Sequence, residues 1–204
     1  MQDHEVINIL QNQLNFSTKA ISDIKIFINE LLRANKKHNF ISKNTENVIW
    51  HRHILDSAQL VKFIDFSKSS LSDLGSGAGF PGLILAIFNK NKHFHVKLYE
   101  KSPVKRRFLL SVIKELSLNA EVLGDVRDEV IDSEIIICRA FKKLDQIIQV
   151  SREIAKKPHK LIILKGQNAQ EEIKNSFKTK KYPYKLEKSM TNKDSKIILM
   201  EINK

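Results

Sequence analysis

The chain has 204 residues, 42% of them hydrophobic, with a single cysteine (Cys138) and a formal net charge of +12. That length supports one well-formed core, and a lone cysteine excludes an internal disulfide and a multi-cysteine zinc site. No apolar run nears the roughly 20 residues that a bilayer-spanning helix needs, and Asp3 and Glu5 make the first residues unlike a signal peptide, so a cytoplasmic globular protein is expected. In chain order, a short helix is expected around Val6 to Leu14. An amphipathic helix follows over residues 17–35, with Ile21, Ile24, Ile28, Leu31 and Leu32 at three- and four-residue steps and Ser17 as N-cap. A polar turn near Lys36 to Asn44 leads into a third helical run, Trp50 to Ile64. Residues 1–68 thus read as an all-helical cap.

From Leu71 the rhythm changes to alternating strands and helices, which sets residues 69–204 apart as the sheet-bearing part of what is expected to be one compact unit. Strands are expected at 71–75, 95–100, 120–124, 134–139 and 160–165, with helices at 81–90, 103–117, 144–156 and 168–178. This alternation implies a mostly parallel sheet with right-handed crossovers and helices on both faces. Tyr184 to Ser189 and Lys196 to Ile202 break it as two strands with no helix between, an edge hairpin.

The basic surplus lies outside the first fifty residues, in clusters such as Lys101/Lys105/Arg106/Arg107, Lys142/Lys143, Lys156/Lys157/Lys160 and Lys178/Lys180/Lys181/Lys185. Such groups would hold RNA or DNA through its phosphates.

Asp73-Leu74-Gly75-Ser76-Gly77-Ala78-Gly79-Phe80-Pro81-Gly82 joins the first strand to the next helix. A glycine turn at this place lets a cofactor lie against bare backbone. Gly77, Gly79 and Gly82 fit the G-x-G-x-x-G register of a dinucleotide site, where a pyrophosphate meets a helix N-terminus. Gly75, Gly77 and Gly79 with Asp73 two residues ahead fit an S-adenosylmethionine site. A carboxylate serves an ammonium and opposes a diphosphate, which favours the second reading. Glu100, at the end of the second strand, is placed to hold ribose hydroxyls in either case. Gly124-Asp125-Val126-Arg127-Asp128 follows the third strand, where an adenine edge would lie.

The fourth strand ends Cys138-Arg139-Ala140-Phe141, without the Asn/Asp-Pro-Pro-aromatic run of enzymes that methylate exocyclic amines. Cys138 follows three isoleucines and reads as a buried strand residue rather than a nucleophile. A target that is nucleophilic as it stands remains, and guanine N7 is one. Arg139 and Lys165, at the ends of strands four and five, face the ligand crevice of such sheets and suit guanine or its phosphate. His51 and His53 lack further ligand-spaced partners, so no metal is expected; His53 reads first as packing beside the turn and second as an RNA contact. An RNA-binding module without a working pocket and a small NAD(P)-dependent oxidoreductase remain as rivals.

His53-Ile54-Leu55-Asp56-Ser57, the glycine turn, Lys105-Arg106-Arg107-Phe108-Leu109, Arg139-Ala140-Phe141 and Leu164-Lys165-Gly166-Gln167 occur in an order that resembles the RsmG (GidB) family of bacterial methyltransferases. The similarity runs from the Asn39-Phe40-Ile41-Ser42 turn to the final hairpin. It implies a class I S-adenosylmethionine-dependent methyltransferase fold, a Rossmann-like α/β sheet with a C-terminal antiparallel hairpin and an N-terminal helical cap. It implies methylation of guanine N7 in the 530-region loop of 16S rRNA (guanine 527 in the family), with free rRNA, the small ribosomal subunit or an assembly intermediate as partner, and a monomer. Gly75, Gly77, Gly79, Phe80, Glu100, Val126, Arg127 and Arg139 are then the expected cofactor contacts. His53, Asp56, Ser57, Arg106 and Lys165 are expected on the RNA approach, with Arg139 and Lys165 positioning the reactants. The family's Arg-x-Glu-Glu order after strand three is exchanged here, reading Asp125-Val126-Arg127-Asp128.

Overall fold

The computed structural model describes residues 1–177 and 182–203. Lys178, Lys180 and Lys181 of the last basic cluster lie outside them, as does the end of the helix expected at 168–178. Helix α1 (Asp3–Asn12) precedes α2 (Thr18–Asn35), whose first turn is capped where Ser17 Oγ accepts from the Ala20 N–H at 3.1 Å. The stripe of α2 is buried except for the half-buried Leu32, and Phe27 at the centre of the helix meets the Phe80 ring edge-on at 5.4 Å. The cap is thereby packed directly on the glycine turn.

The polar turn after α2 is tied by Asn35. Its Oδ1 accepts from the Phe40 and Ile41 N–H groups at 2.8 and 3.0 Å, and its Nδ2 donates to the Ile41 carbonyl. The short α3 (Lys43–Glu46) follows. The third helical run is not uniform. It opens as π-helix over Trp50–Leu55, continues as α4 (Asp56–Ala58) and tightens to 3₁₀ over Gln59–Phe63. Apolar periodicity locates such a run but does not reveal a widened turn, which local hydrogen bonding decides.

The sheet has the order β3-β2-β1-β4-β5-β7-β6. Strands β1 (Ser70–Leu74), β2 (His95–Tyr99), β3 (Ala120–Leu123), β4 (Ile135–Arg139) and β5 (His159–Lys165) are parallel. Their crossovers contain α5 (Gly82–Phe88), α6 (Pro103–Leu116) and α7 (Leu144–Ile154), and α8 (Ala169–Ser176) follows β5. Of the two hairpin strands, β7 (Lys196–Ile202) inserts antiparallel beside β5 and only β6 (Lys185–Lys188) is an edge. Composition explains the assignment. Ile197, Ile198, Met200 and Ile202 are buried, whereas all four residues of β6 are exposed and two are lysines, a pattern that discourages further pairing.

Alternate residues of β4 feed the two faces. Ile135 and Ile137 join a core that also holds Leu10, Ile24, Phe27, Leu55, Leu83 and Leu109, so the cap and one sheet face share it. Ile136 and Cys138 join a second core with Leu144, Ile148, Ile163 and Ile198.

Candidate active site

Strand β1 delivers the chain into a turn in which Gly75, Gly77 and Gly79 have φ of 74°, 58° and 101°, a region that L side chains rarely adopt. A Cβ on Gly75 would stand 2.6 Å from the Phe141 ring, and one on Gly82 would collide with Leu98 and Asp73. Asp73 itself corrects the sequence reading. It is fully buried beneath the turn, where its Oδ2 accepts from the Gly82 N–H at 3.0 Å, and it presents nothing to an ammonium in the open cleft. Burial pushes its carboxyl up to about 7, against the pull of the Gly82 hydrogen bond, and Oδ1 has no hydrogen-bond partner among the described residues.

A cleft of about 490 Å³ opens over this turn, lined by Gly75, Ser76, Gly77, Phe80, Glu100, Val126, Arg127 and Arg139. Of the expected cofactor contacts only Gly79 is missing from its wall; it is turned against Leu83 instead. Glu100 closes one side. Its carboxylate accepts from the Gly77 N–H at 2.9 Å and the Ser102 N–H at 2.8 Å, which fixes the acid at the end of β2. Val126 is buried in a single 3₁₀ turn (Val126–Asp128) after β3. Asp125 caps that turn and binds the Arg127 guanidinium through Nε at 3.1 Å and Nη2 at 2.5 Å. The hydrogen bonds from Arg127 hold the Asp125 carboxyl down at about 2. The exchanged pair therefore neutralises itself, with Arg127 largely exposed at the rim.

Arg139 is the hub. Its Nε lies 3.2 Å from Asp56, its Nη2 donates to the Arg52 carbonyl at 3.1 Å and lies 3.2 Å from His53 Nδ1, and Nη1 is buried without a hydrogen-bond partner among the described residues. The guanidinium carbon stands 6.0 Å from the Phe80 centroid, and His53 stacks on the same ring at 4.9 Å. Burial and the charge of Arg139 push the His53 imidazole down to about 3, so it is neutral. A guanidinium only donates, which makes Nδ1 the acceptor and leaves the proton on Nε2. The chain then turns through Ala140 at φ 51°, a strained value for a residue with a side chain, and presents Phe141 to the glycine turn.

Arg139, Ala140, Phe141 and Lys142 also form a wall of a second cleft of about 520 Å³, which contains Arg52, Asp56, Lys143 and Lys165. Lys165 Nζ is held between Glu172 and the Lys142 carbonyl, both at 2.7 Å. The structure thus brings together His53, Asp56, Arg139 and Lys165. Two expected RNA contacts fall elsewhere. Ser57 is fully buried and donates to the His53 carbonyl at 2.7 Å, so it has no surface to offer. Arg106 lines neither cleft; its Nη1 donates to the carbonyls of Glu100 and Lys101 at 3.1 and 3.0 Å. Cys138 is buried, which raises its thiol pKa far out of the nucleophilic range.

Sequence reasoning missed three participants. Phe141 stands in the sequence only as the end of the Arg139-Ala140-Phe141 motif, and nothing in a strand-end pattern shows which way it turns. Phe40, from the Asn39-Phe40-Ile41-Ser42 turn of the cap, lines the first cleft. Thr191, in the loop between β6 and β7, donates its hydroxyl to Asp56 Oδ1 at 2.8 Å across 135 positions, with no local signal.

Among the described residues no His/Cys/Asp/Glu group is arranged to hold a metal ion, and no helix is long and apolar enough to cross a membrane. A family model described as rRNA small subunit methyltransferase G matches residues 20–198. The chain is 36% identical over 202 residues to the ribosomal RNA small subunit methyltransferase G of Pelagibacter ubique, covering 96% of this chain and 93% of that protein. It is 36% identical to that of Rickettsia akari over 91% of this chain and 95% of the relative. An RNA methyltransferase from Salinibacter ruber, solved with S-adenosyl-L-homocysteine, superposes with a TM-score of 0.52 at 13% identity, covering 72% of this chain and 90% of that one. With the sheet order and site geometry above, these relationships show that the chain belongs to the rRNA small subunit methyltransferase G (GidB) family.

Proposed function

We propose that this protein is an S-adenosylmethionine-dependent methyltransferase that methylates guanine N7 in the 530-region loop of 16S rRNA, at the position equivalent to guanine 527, as a cytoplasmic monomer. The observation that carries the reading is Arg139, a largely buried cation forming the common wall of two clefts, one over the glycine turn and one containing Lys165.

The first cleft fits the cofactor. Left-handed glycines keep side chains off the turn, Glu100 is fixed where ribose hydroxyls need an acceptor, and Val126 offers an apolar face toward an adenine. When bound, S-adenosylmethionine supplies an electrophilic methyl on a sulfonium, open to direct in-line displacement. Guanine N7 carries an in-plane lone pair and no proton at neutral pH. The protein then needs neither a general base nor a covalent intermediate, only alignment and electrostatics. Arg139 and Lys165 donate hydrogen bonds to guanine oxygen or phosphate, and both are held by carboxylates that limit their freedom.

Two measurements test the reading. Titration with S-adenosylhomocysteine is expected to saturate and titration with NAD is not; saturable binding of NAD alone overturns the cofactor assignment. Borohydride–aniline cleavage of 16S rRNA is expected to lose its 7-methylguanosine break when the gene is deleted. An unchanged break removes the substrate.

A further inference from the structure

The cofactor cleft has a second neighbour, on the side away from Lys165. A groove of about 750 Å³ separates the turn after α2 from the first turn of α6, and it shares Phe40 and Lys105 with the cofactor cleft. Although the first fifty residues are almost charge-balanced, this groove gathers Lys36, Lys37 and Lys43 from the cap and faces them with Lys105. None of the four ammonium groups has a carboxylate or carbonyl partner among the described residues. The one acid in the wall, Glu46, is engaged at Oε1 by the Asn35 amide at 2.6 Å. Two rings stand among the lysines. His38 meets Phe40 edge-on at 6.2 Å, and Phe40 is braced behind by Phe108 at 4.7 Å.

Unpaired lysines interleaved with a supported aromatic face are the chemistry of a single-stranded RNA track, where cations follow phosphates and rings stack on bases. A small-anion site differs, since it commits buried polar side chains to one position, and this groove is open. We propose that the groove of Lys36, Lys37, His38, Phe40, Lys43 and Lys105 binds the RNA strand flanking the target nucleotide, on the opposite side of the cofactor cleft from Arg139 and Lys165. A strand crossing the middle cleft then has its phosphates gripped on both sides. This inference rests on the rRNA methyltransferase reading and assigns a surface that the reading leaves open.

The test uses the full chain and an RNA hairpin carrying the 530-region loop, with affinity measured over a series of salt concentrations. The variant K36Q/K37Q/K43Q removes three groove charges, and K90Q/K92Q/K114Q removes three at the opposite, amino-terminal end of the parallel strands. Each phosphate contact to a single strand contributes a slope of about 0.7 in log K against log salt, so the groove variant is expected to lower the slope by about 2 and the affinity by more than about tenfold at 0.15 M salt. The control variant is expected to leave the slope unchanged, and both are expected to bind S-adenosylhomocysteine as the parent does. An unchanged slope in the groove variant, or an equal fall in the control, overturns the groove while leaving the enzyme reading intact. A parent protein that binds neither the hairpin nor S-adenosylhomocysteine instead overturns the reading on which the groove rests.

Discussion

Arg139 Nε lies 3.2 Å from Asp56 Oδ2, with both side chains largely withdrawn from solvent. The pair joins the end of β4 to the cap, and Asp56 is held in turn by the Thr191 hydroxyl at 2.8 Å and the Gln59 amide at 3.1 Å. Gln59 also accepts from the Met190 N–H at 2.7 Å. Three segments far apart in sequence therefore set the position of one guanidinium.

Asp56→Ala leaves the Arg139 charge without its carboxylate, while the Gln59 amide and the Thr191 hydroxyl keep Ser189 as a partner. Breaking a pair this buried costs roughly 3 kcal/mol, and for a chain of this size Tm is expected to fall by on the order of 9 °C. S-adenosylhomocysteine binding should weaken in the surviving fold. Calorimetry checks both, and an unchanged Tm would show that the pair contributes nothing net.

Thr191→Val removes one hydroxyl at the same shape. The hydroxyl also meets Ser189 Oγ at 2.9 Å, but it is the lost bond to Asp56, about 1 kcal/mol, that is expected to weaken S-adenosylhomocysteine binding about fivefold by loosening Asp56 and hence Arg139. Thr191→Ser restores the hydroxyl and should restore affinity. If valine and serine behave alike, packing rather than the hydrogen bond is responsible.

Gly75→Ala tests the turn. Alanine at φ 74° is strained, and its Cβ meets the Phe141 ring at 2.6 Å. The expected cost is about 1–3 kcal/mol of stability, with Phe141 displaced and the affinity for S-adenosylhomocysteine reduced. A Gly75→Ala/Phe141→Ala double variant relieves the clash but keeps the φ strain, so partial recovery of stability is expected. No recovery at all would assign the whole effect to the backbone.

Asp73 makes stability depend on pH. Its folded pKa of about 7 lies above the unfolded value near 3.8, so the native state holds the proton where the unfolded chain has released it. The sign follows: stability is greatest below about pH 4, declines as pH rises through the window to about 7, and is level above it. Asp73→Asn is expected to flatten this component and to be the more stable protein at pH 8. Denaturant unfolding at pH 4, 6 and 8 measures the slope, and a variant with the parent's slope would place the titration elsewhere.

The alternation from Leu71 onward was legible because each strand is a short apolar run ended by glycine or charge, and those periods survive folding. The cofactor cleft was legible for a related reason, since a turn stripped of side chains and an acid one strand later are written in residue types. Orientation was not. Asp73 precedes the glycines whether it points up at a ligand or down beneath the turn, and only the Gly82 N–H, nine residues on, decides. Ser57 and Arg106 sit on helical runs that the sequence locates, yet a helix does not say which carbonyl lies within reach of a neighbouring hydroxyl or guanidinium. The hold of Thr191 on Asp56 follows from β7 inserting beside β5, a pairing with no local signature.

His53 gives the most direct spectroscopic check on the hub. Its pKa is lowered to about 3 by burial, then by Arg139 and Arg52, against an ordinary value of 6.5. The imidazole is therefore expected to show no titration between pH 5 and 8 in the folded protein. ¹⁵N shifts should report a neutral ring with Nδ1 bare and Nε2 protonated, because Nδ1 faces a group that can only donate. Since the unfolded chain binds this proton first as pH falls, the contribution of His53 to stability is full above about 6.5 and is lost on acidification toward 3, opposite in sign to that of Asp73. Arg139→Gln withdraws the nearby charge, so the His53 pKa should rise while remaining below 6.5, held down by burial. A normal titration near 6.5 in the parent protein would mean that His53 is solvated and that the stack on Phe80 and the contact with Arg139 do not persist in solution.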